Sequence, residues 1–289
     1  IVYLDNETIK VTVPIINASG TIVVWVNGSK VNETSFNGED SPSVTVIVLG
    51  LAVGEYNVTV EYGNDVNYND SESSALFNVA KADLGKITVL PINITYTQLE
   101  NITVSVAGTN LTGKVTIVIE DTGIELTDLI GADGTVVFHV EDILPVDKYV
   151  VSAYYHDDVN YENDEAFARF TVDKAASNVA IEVNDIVYNE IEYANITIAD
   201  YNASGRVVVT VDGSDYGVYD LTNDTSVRLA IEGLAVGEHT IVVRYMDDVN
   251  YNGSEAVGVF NVTKDVIPVD PDNVSSLIVV PEDIVYLDD

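Results

Sequence analysis

The stretch GLAVGEYNVTVEYGNDVNYNDSESSALFNV, residues 50–79, decides the fold because the chain repeats it twice. It returns as ILPVDKYVVSAYYHDDVNYENDEAFARFTV at residues 143–172. It returns again as GLAVGEHTIVVRYMDDVNYNGSEAVGVFNV at residues 233–262. The whole chain is therefore analysed as three copies of one unit.

The spacing of the copies sets the size of that unit. The tyrosine of the shared Asp-Val-Asn-Tyr core is Tyr68, Tyr161 and then Tyr251, at steps of 161 − 68 = 93 and 251 − 161 = 90 residues. A period this long predicts tandem domains that each build a core, rather than a solenoid of small stacked repeats.

The repeated segment has the pattern of two strands joined by a turn. In the first copy Tyr56, Val58, Val60 and Tyr62 alternate with polar residues, which is the period of a half-buried strand. Residues 63–70 have turn chemistry, because Gly and Asn tolerate positive φ and Asx side chains bind their own backbone. The apolar alternation resumes after the turn, so the segment predicts a pair of adjacent strands.

The approach to this segment resembles a tyrosine corner, a feature of the E–F bend in immunoglobulin-like sandwiches. The first copy has Leu51-x-x-Gly54-x-Tyr56, and the second keeps the tyrosine as Tyr149. The third copy has His239 at that position. We therefore expect the third corner to be satisfied by a different hydrogen bond.

The combined pattern L-x-x-G-x-Y-x-V…Y-x-x-D-x-N-Y resembles the bacterial immunoglobulin-like domains of group 3. It is similar to their long arrays in methanogen adhesin-like surface proteins, and the resemblance covers all three copies. It implies an immunoglobulin-like fold and a place on the cell surface, and says little about a ligand. The departures are His239 and Asp147, which stands where the first glycine of the corner is expected.

Composition excludes some classes of protein and partner. The 289 residues are 47% hydrophobic, which is enough for true cores, and the net charge is −35. Nucleic acid is not expected as a partner, since no basic patch is present to release counterions. The acidic surface favours cations and keeps neighbouring domains apart. The chain has no cysteine, and we expect no membrane span within it.

These observations predict an all-β protein of tandem immunoglobulin-like antiparallel β-sandwiches arranged as an elongated rod. The predicted domains are 1–81, which lacks its first strand, then 82–174 and 175–264. Residues 265–289 are predicted to be a linker plus the first strand or strands of a following domain. The positions expected to point inward on strand C are Ile22, Val24, Val26, Val115, Ile117, Ile119, Val207, Val209 and Val211.

Asn-x-Ser/Thr tripeptides are the strongest functional signal. Ser and Thr are about one residue in seven, yet more than half of the asparagines carry this motif. The pattern favours an N-glycosylated surface protein, and the alternative is a β-rich sequence that is simply rich in Thr and Asn. The candidate glycosylation sites are Asn6, Asn17, Asn27, Asn32, Asn57, Asn69, Asn93, Asn101, Asn110, Asn195, Asn202, Asn223, Asn252, Asn261 and Asn273.

The turn of the third copy is a weak candidate for a metal site. Asp248, Asn250 and Asn252 resemble the first half of a calcium loop, although Val259 stands where the later bidentate Glu is expected. We therefore expect no cofactor, with Ca²⁺ at this turn as the one alternative. The alternative is a structural turn whose tyrosine packs on the sandwich.

Trp25 is the only tryptophan, and its place in the alternation of strand C points outward. An outward Trp could stack on a sugar, which makes it a weak ligand candidate. The alternative is that it lies beneath a neighbouring strand or a glycan.

We expect no catalytic site. The three histidines fall in a strand, a turn and a corner of different copies, and none has a partner Ser or Asp at a repeated position.

The C-terminal segment has the sequence of a first strand, and the first copy lacks one. A sandwich without this strand exposes a sheet edge, which favours β-strand addition by another molecule. The candidate donor residues are Leu277, Ile278, Val279, Val280, Ile284 and Tyr286. The alternative is that the chain is an excerpt of a longer array, in which preceding residues supply the strand.

The favoured hypothesis is therefore an extracellular structural stalk of an adhesin-like surface protein, from a methanogenic archaeon by resemblance, with an unknown cell-surface or carbohydrate ligand. Two alternatives stay open. One is a filament subunit that self-associates head to tail by strand donation, and the other is a carbohydrate- or calcium-dependent binding module.

Overall fold

A computed structural model describes residues 1–200, 202–221 and 225–266 of the chain. All the regular secondary structure in these residues is β-strand. The alternating apolar positions of the sequence form these strands because successive side chains of a strand point to opposite faces. The predicted all-β class is confirmed, and the strands form two-sheet immunoglobulin-like sandwiches.

The first sandwich contains six strands. They are β1 (Glu7–Thr12), β2 (Thr21–Val26), β3 (Ser29–Ser35), β4 (Ser43–Val48), β5 (Gly54–Gly63) and β6 (Ser71–Val79). One sheet has the order β1-β4 and the other β3-β2-β5-β6. The repeated segment supplies β5 and β6, which pair antiparallel as predicted.

The second sandwich contains eight strands. They are β7 (Ile87–Leu90), β8 (Ile94–Thr95), β9 (Asn101–Val106), β10 (Lys114–Ile119), β11 (Ile124–Leu129), β12 (Thr135–His139), β13 (Asp147–His156) and β14 (Asp164–Asp173). Its sheets have the orders β12-β9-β7 and β11-β10-β13-β14-β8. The smaller sheet thus has one strand more than in the first sandwich.

The third sandwich also contains eight strands within its described residues. They are β15 (Val179–Glu182), β16 (Ile186–Val187), β17 (Glu192–Ile198), β18 (Gly205–Val211), β19 (Ser214–Leu221), β20 (Ser226–Ile231), β21 (Gly237–Tyr245) and β22 (Ser254–Thr263). Its sheets have the orders β15-β17-β20 and β16-β22-β21-β18-β19. The short strand β16 runs parallel to β22, while the other pairs in these two sheets are antiparallel.

The cores lie between the two sheets of each sandwich. The inward positions predicted for strand C are buried in all three copies, and Val24, Ile117 and Val209 at their centres are fully buried. Because these side chains alternate with exposed or half-buried ones, one face of each sheet packs inward and the other meets solvent.

The chain divides into two compact units, which do not coincide with the three sandwiches. The first unit comprises Ile1–Ile94, Gln98–Asp142 and Asp147–Val172. The second comprises Thr95–Thr97, Ile143–Val146 and the chain from Asp173 onward. The domain boundaries proposed from the sequence stay a prediction.

Candidate functional site

The aspartate of the Asp-Val-Asn-Tyr turn joins two turns of its sandwich. In the second copy, Asp158 Oδ1 accepts hydrogen bonds from the backbone N–H groups of Asn160 (2.7 Å) and Tyr161 (3.0 Å) in its own turn. Its Oδ2 accepts from the N–H groups of Thr112 (2.7 Å) and Gly113 (2.9 Å), in the turn before strand C. One buried carboxylate therefore connects turns that are far apart in sequence.

A tyrosine of β13 completes this network. The Tyr155 hydroxyl donates to Asp158 and accepts from the N–H of Gly113 at 3.1 Å. Burial by itself would raise the pKa of Asp158, but the hydrogen bonds from Tyr155 and Thr112 outweigh it and lower the pKa to about 2. Burial raises the pKa of Tyr155, and its hydrogen bond to Asp158 raises it further. The pair is thus a neutral phenol bonded to an ionised carboxylate.

The same network recurs in the other two sandwiches. Asp65 accepts from the N–H of Ser19 at 2.7 Å, and Asp248 from the N–H of Ser204 at 2.7 Å. The hydroxyl of Tyr62 in β5 donates to Asp65, and that of Tyr245 in β21 donates to Asp248. The structure therefore identifies this aspartate as a constant part of the repeat, a role that sequence analysis did not assign.

These hydrogen bonds bear on the predicted calcium site. Asp248 accepts from the backbone N–H and hydroxyl of Ser204, the hydroxyl of Tyr245, and the N–H groups of Asn250 and Tyr251. A carboxylate has only about four lone-pair positions to offer. Within residues 1–200, 202–221 and 225–266, no group of three His, Cys, Asp or Glu side chains could hold a metal ion. The calcium site stays a prediction, and this geometry does not support it.

The candidate glycosylation sites lie on the surface. The structure describes thirteen of the fifteen, since Asn223 and Asn273 lie outside the described residues. Of these thirteen, Asn32 is half-buried and the other twelve are exposed. Their positions leave room for glycans, and the attachment of sugar stays a prediction.

Three of these asparagines also have a structural explanation. Asn17, Asn110 and Asn202 begin the turn before strand C, at φ values of 48°, 54° and 51°. Asn tolerates this left-handed conformation better than most residues. The hydroxyl residue of the same tripeptide donates its backbone N–H to the network aspartate in each copy. The recurrence of the tripeptide at the repeat spacing was the signal for this role.

The turn of the second copy also binds the segment that follows the first sandwich. The N–H of Ala82 donates to Asn160 O at 3.0 Å, and the N–H of Glu162 donates to Ala82 O at 2.9 Å. The ammonium of Lys81 donates to Asp158 O at 2.7 Å. We call this set of contacts the joint ladder.

The joint ladder recurs within the second compact unit. There the N–H of Ala175 donates to Asn250 O at 2.9 Å, and the N–H of Asn252 donates to Ala175 O at 2.9 Å. Lys174 forms an ion pair with Asp247 at 2.8 Å. Lys81 and Lys174 thus contact the turn in both places.

The tyrosine of the turn is covered only where a joint ladder forms. Tyr161 is 3% exposed and packs edge-to-face on Tyr3, with ring centroids 5.4 Å apart. Tyr251 is 3% exposed and makes the same contact with Tyr96 at 5.4 Å. Tyr68 in the first copy is 37% exposed.

The tyrosine corner predicted for the first copy is present, and the third copy replaces it. Tyr56 donates its hydroxyl hydrogen to Ala52 O at 3.0 Å. His239 Nε2 lies 2.7 Å from Ala235 O, and its Nδ1 lies 2.7 Å from Asp212 Oδ2. Both partners are acceptors, so the imidazolium form satisfies both contacts. The bond to Ala235 and the Asp212 carboxylate raise the pKa of His239 accordingly.

Trp25 is half-buried on the outer face of β2, opposite Lys30 and Thr59. Its Nε1 is buried and has no hydrogen-bond partner among the described residues. The indole N–H is therefore not available to a ligand in this conformation. A ligand role for Trp25 stays a prediction.

The fold brings one histidine to a hydroxyl and a carboxylate that sequence analysis did not connect with it. His156 Nε2 lies 2.8 Å from Thr116 Oγ1, and His156 Nδ1 lies 3.2 Å from Asp157 Oδ2. Thr116 Oγ1 also lies 2.7 Å from Thr127 Oγ1 across the sheet. These contacts form a polar cluster on the outer face of a strand, and the expected absence of catalysis stays a prediction.

No protein-family model and no curated protein matches this chain. The resemblance to group 3 domains therefore stays a prediction. Within the described residues, no helix is long and apolar enough to cross a membrane.

Several solved structures are similar to the chain over most of its length. An ICAM-5 D1–D4 ectodomain fragment is 13% identical, with 90% of this chain and 72% of that chain covered and a TM-score of 0.42. A variant of titin domains I67–I69 is 12% identical, with 92% and 94% covered and a TM-score of 0.39. A structure of a 1.5-MDa bacterial ice-binding adhesin is 16% identical, with 91% and 92% covered and a TM-score of 0.34. Identities this low concern the fold and carry no argument about binding.

Proposed function

We propose that the protein is a structural stalk of an extracellular, adhesin-like surface protein. Its tandem sandwiches hold a distal binding element away from the cell envelope. The observation that carries this proposal is the joint ladder, in which the turn of one sandwich binds the backbone that precedes it. Backbone hydrogen bonds at a joint limit the motion that a free linker would allow, and this suits a spacer.

The arrangement of charge supports the same proposal. The net charge of −35 comes from 47 acidic and 12 basic residues. Like charge opposes collapse of neighbouring domains onto each other and suppresses non-specific association. A spacer that must remain extended benefits from both effects.

N-glycosylation is part of the proposal. Exposed Asn-x-Ser/Thr sites occur on strands and in turns of all three sandwiches, for example Asn57, Asn101 and Asn261. Glycans on these surfaces would cover the sandwiches and protect them from proteases. The test is the intact mass of protein purified from its native cells. A mass equal to that calculated for the unmodified native polypeptide would contradict glycosylation.

The location is tested by immunogold labelling of intact cells that make the protein, with antibodies raised against the third sandwich. We expect gold particles outside the envelope, at a distance that decreases when one sandwich is deleted in frame. Labelling that requires permeabilised cells, or a distance that does not respond to the deletion, would contradict the stalk. A strain that lacks the protein is the control for antibody specificity.

A further inference from the structure

The larger sheet of the first sandwich has two apolar side chains on its outer face, one on each side of β5. The order of this sheet is β3-β2-β5-β6, so β5 lies between β2 and β6. Trp25 of β2 is half-buried and alternates with the buried Val24 and Val26. Leu76 of β6 is 66% exposed and lies opposite the outward-facing Asn57. We call Trp25 and Leu76 the apolar pair.

Asn57 lies between the two members of the apolar pair. It is exposed on β5 and faces Leu76 directly across the sheet. On the other side Trp25 faces Thr59, two residues further along β5. In antiparallel strands, directly opposite Cβ atoms are about 5 Å apart and diagonal neighbours are about 7–8 Å apart. A group attached to the Asn57 side chain can therefore reach both apolar side chains.

The side-chain amide of Asn57 is turned along the strand towards the row of the tryptophan. Its Nδ2 donates to the Thr59 hydroxyl at 3.3 Å, and Thr59 is the residue opposite Trp25. Asn57 and Thr59 are the first and third residues of one Asn-x-Ser/Thr tripeptide. A glycosylated amide keeps one N–H. Attachment of a sugar to Nδ2 is thus compatible with the hydrogen bond to Thr59.

The neighbouring acceptor asparagine, Asn27, has a role in the turn between β2 and β3. Its Oδ1 accepts from the backbone N–H of Asn57 at 2.8 Å, and its φ is 47°. In the third sandwich Asp212 makes the same backbone contact, with Thr240, and has a φ of 49°. Asp212 cannot accept a glycan, so the turn by itself explains Asn27. The Asn57 side chain instead donates to the hydroxyl of its own tripeptide.

Trp25 offers apolar ring surface rather than a hydrogen bond to anything that covers it. Its Nε1 is buried, so the indole N–H is turned away from solvent. The faces of a sugar ring are made largely of C–H groups, and such faces pack on aromatic and aliphatic side chains. A sugar ring on Asn57 therefore matches the chemistry of the apolar pair.

The apolar pair and the acceptor asparagine occur together in one copy of the repeat. The residues equivalent to Trp25, Asn57 and Leu76 are Val118, Val150 and Arg169 in the second sandwich and Thr210, Thr240 and Val259 in the third. Neither set contains a tryptophan or an acceptor asparagine. The first sandwich is thus the copy in which a glycan on this strand would meet an aromatic ring.

We propose that Asn57 carries an N-linked glycan whose first sugar packs on Leu76 and Trp25. The proposal rests on the N-glycosylation proposed above, and it adds one specific site and a structural role for its glycan. The sugar ring lies over β5, with one member of the apolar pair on each side. The glycan is thereby held against the sheet, and it covers apolar surface that the sheet leaves open to water.

The attachment is a glycosyl transfer, and it needs a sugar donor activated by a phosphate ester at its anomeric carbon, C1. The bond from Asn57 Nδ2 to C1 forms, and the bond from C1 to the phosphate oxygen breaks. The electron pair of the broken bond stays on the phosphate, and one amide hydrogen leaves Nδ2 as a proton. Nothing is oxidised or reduced, and the second amide hydrogen remains on Nδ2.

Glycopeptide mass spectrometry of protein from its native cells tests the site. We expect the peptide that contains Asn57 to carry sugar. If other tripeptides are glycosylated and Asn57 is bare, this inference is wrong while the proposed glycosylation of the protein stands. If no peptide carries sugar, both proposals are wrong.

Trp25 reports the contact, because it is the only tryptophan in the chain. We expect acrylamide to quench its fluorescence less in the glycosylated chain than in Asn57→Gln made in the same cells. Asn261→Gln is the matched control, since it removes an exposed acceptor asparagine from a strand of the third sandwich. The wild type and Asn57→Gln should be quenched equally when both are made in cells that do not attach N-glycans. Equal quenching of the two chains from glycosylating cells would overturn the proposal.

The effect of the glycan on stability tests the packing on Leu76. Urea unfolding of the first sandwich is followed by Trp25 fluorescence in glycosylated and unglycosylated chains. We expect the glycan to raise the folding equilibrium constant about tenfold, since it buries apolar surface, and Leu76→Ser to remove most of this gain. Leu129→Ser is the control, because that leucine is 61% exposed on β11 of the second sandwich. A gain that persists in Leu76→Ser would reject packing of the sugar on the apolar pair.

Discussion

In the corner of the third sandwich, a charged pair stands where the first sandwich has two neutral side chains. In the first copy Tyr56 makes the corner hydrogen bond, and Asn27 accepts the N–H of the next residue. In the third copy His239 makes the corner bond, and Asp212 takes the place of the asparagine and also pairs with the histidine. The same bend is held by an ion pair instead of a phenol.

This exchange predicts a pH dependence that is confined to the third sandwich. The pKa of His239 is raised in the folded state, so its contribution to stability is present below about 6.5 and is lost as the pH rises through the folded value. The pKa of Asp212 is lowered by the N–H of Thr240 and by His239, so its contribution to stability is lost only at acidic pH. We expect the third sandwich to lose stability between neutral and alkaline pH.

Urea unfolding is measured at several pH values, and the amide exchange of β21 reports the unfolding of the third sandwich. His239→Tyr restores the corner of the other copies and should remove the loss of stability at alkaline pH. Tyr56→His in the first sandwich is the matched control, since Asn27 cannot form the ion pair there. A pH profile that His239→Tyr leaves unaltered would contradict the assignment.

The network aspartate predicts a second effect at the residue scale. Asp158 is 2% exposed, and Asp158→Asn turns an amide group towards the N–H donors of Thr112 and Gly113. Leaving such donors without an acceptor costs about 1–3 kcal/mol, so we expect the second sandwich to lose that much stability. Denaturant unfolding measures it.

The pH dependence of stability distinguishes the contribution of this hydrogen-bond network from that of packing alone. The pKa of Asp158 is lowered from 3.8 to about 2, so its contribution is complete above about 3.8 and is lost as the pH falls through about 2. Asp157→Asn is the control, because that side chain is exposed and its ion pairs contribute little. Equal losses in the two variants would argue against the network.

At the scale of elements, the joint ladder is a short backbone pairing between a linker and a turn. Ala82→Pro removes the N–H that donates to Asn160 O, and the proline cannot replace it. We expect faster amide exchange at Glu162, whose N–H donates to Ala82 O, with the strands of both sandwiches unchanged. Asp83→Pro is the control, since the Asp83 N–H is not part of the ladder. Equal exchange at Glu162 in the two variants would contradict a fixed joint.

Strands were the elements that sequence analysis placed most securely. In β10, buried Ile117 alternates with half-buried Thr116 and Val118, and the same period of burial marks β2 and β18. This signal is local, because one apolar face is enough to specify a strand and its inward side chains. Pairing partners such as Ala82 and Asn160 carry no local signal, since they meet only when the linker reaches the turn of another sandwich.

At the scale of the whole molecule, the first sandwich should be the least stable. Its inward positions Ile9, Val11 and Val13 are only half-buried, whereas the corresponding positions of the other sandwiches are buried. Burial of apolar surface contributes about 25 cal/mol per Å², so the lower burial of these side chains reduces the free energy of unfolding of the first sandwich. Unfolding of the whole chain should therefore proceed in more than one step.

Trp25 makes this order measurable, because it is the only tryptophan and it lies in the first sandwich. In dilute protein we expect its fluorescence transition at a lower urea concentration than the circular dichroism transition of the strands. Coincident transitions in the unmodified chain would contradict the expected order.

The sequence by itself determined the repeat, the all-β class, the inward face of each strand and the exposed Asn-x-Ser/Thr sites. Tertiary structure decided which distant groups meet: Asp158 with Thr112, His239 with Asp212, and Ala82 with Asn160. The physical reason is range. Alternation acts between neighbours along the chain, whereas a hydrogen bond between turns depends on how the two sheets and their loops pack in space.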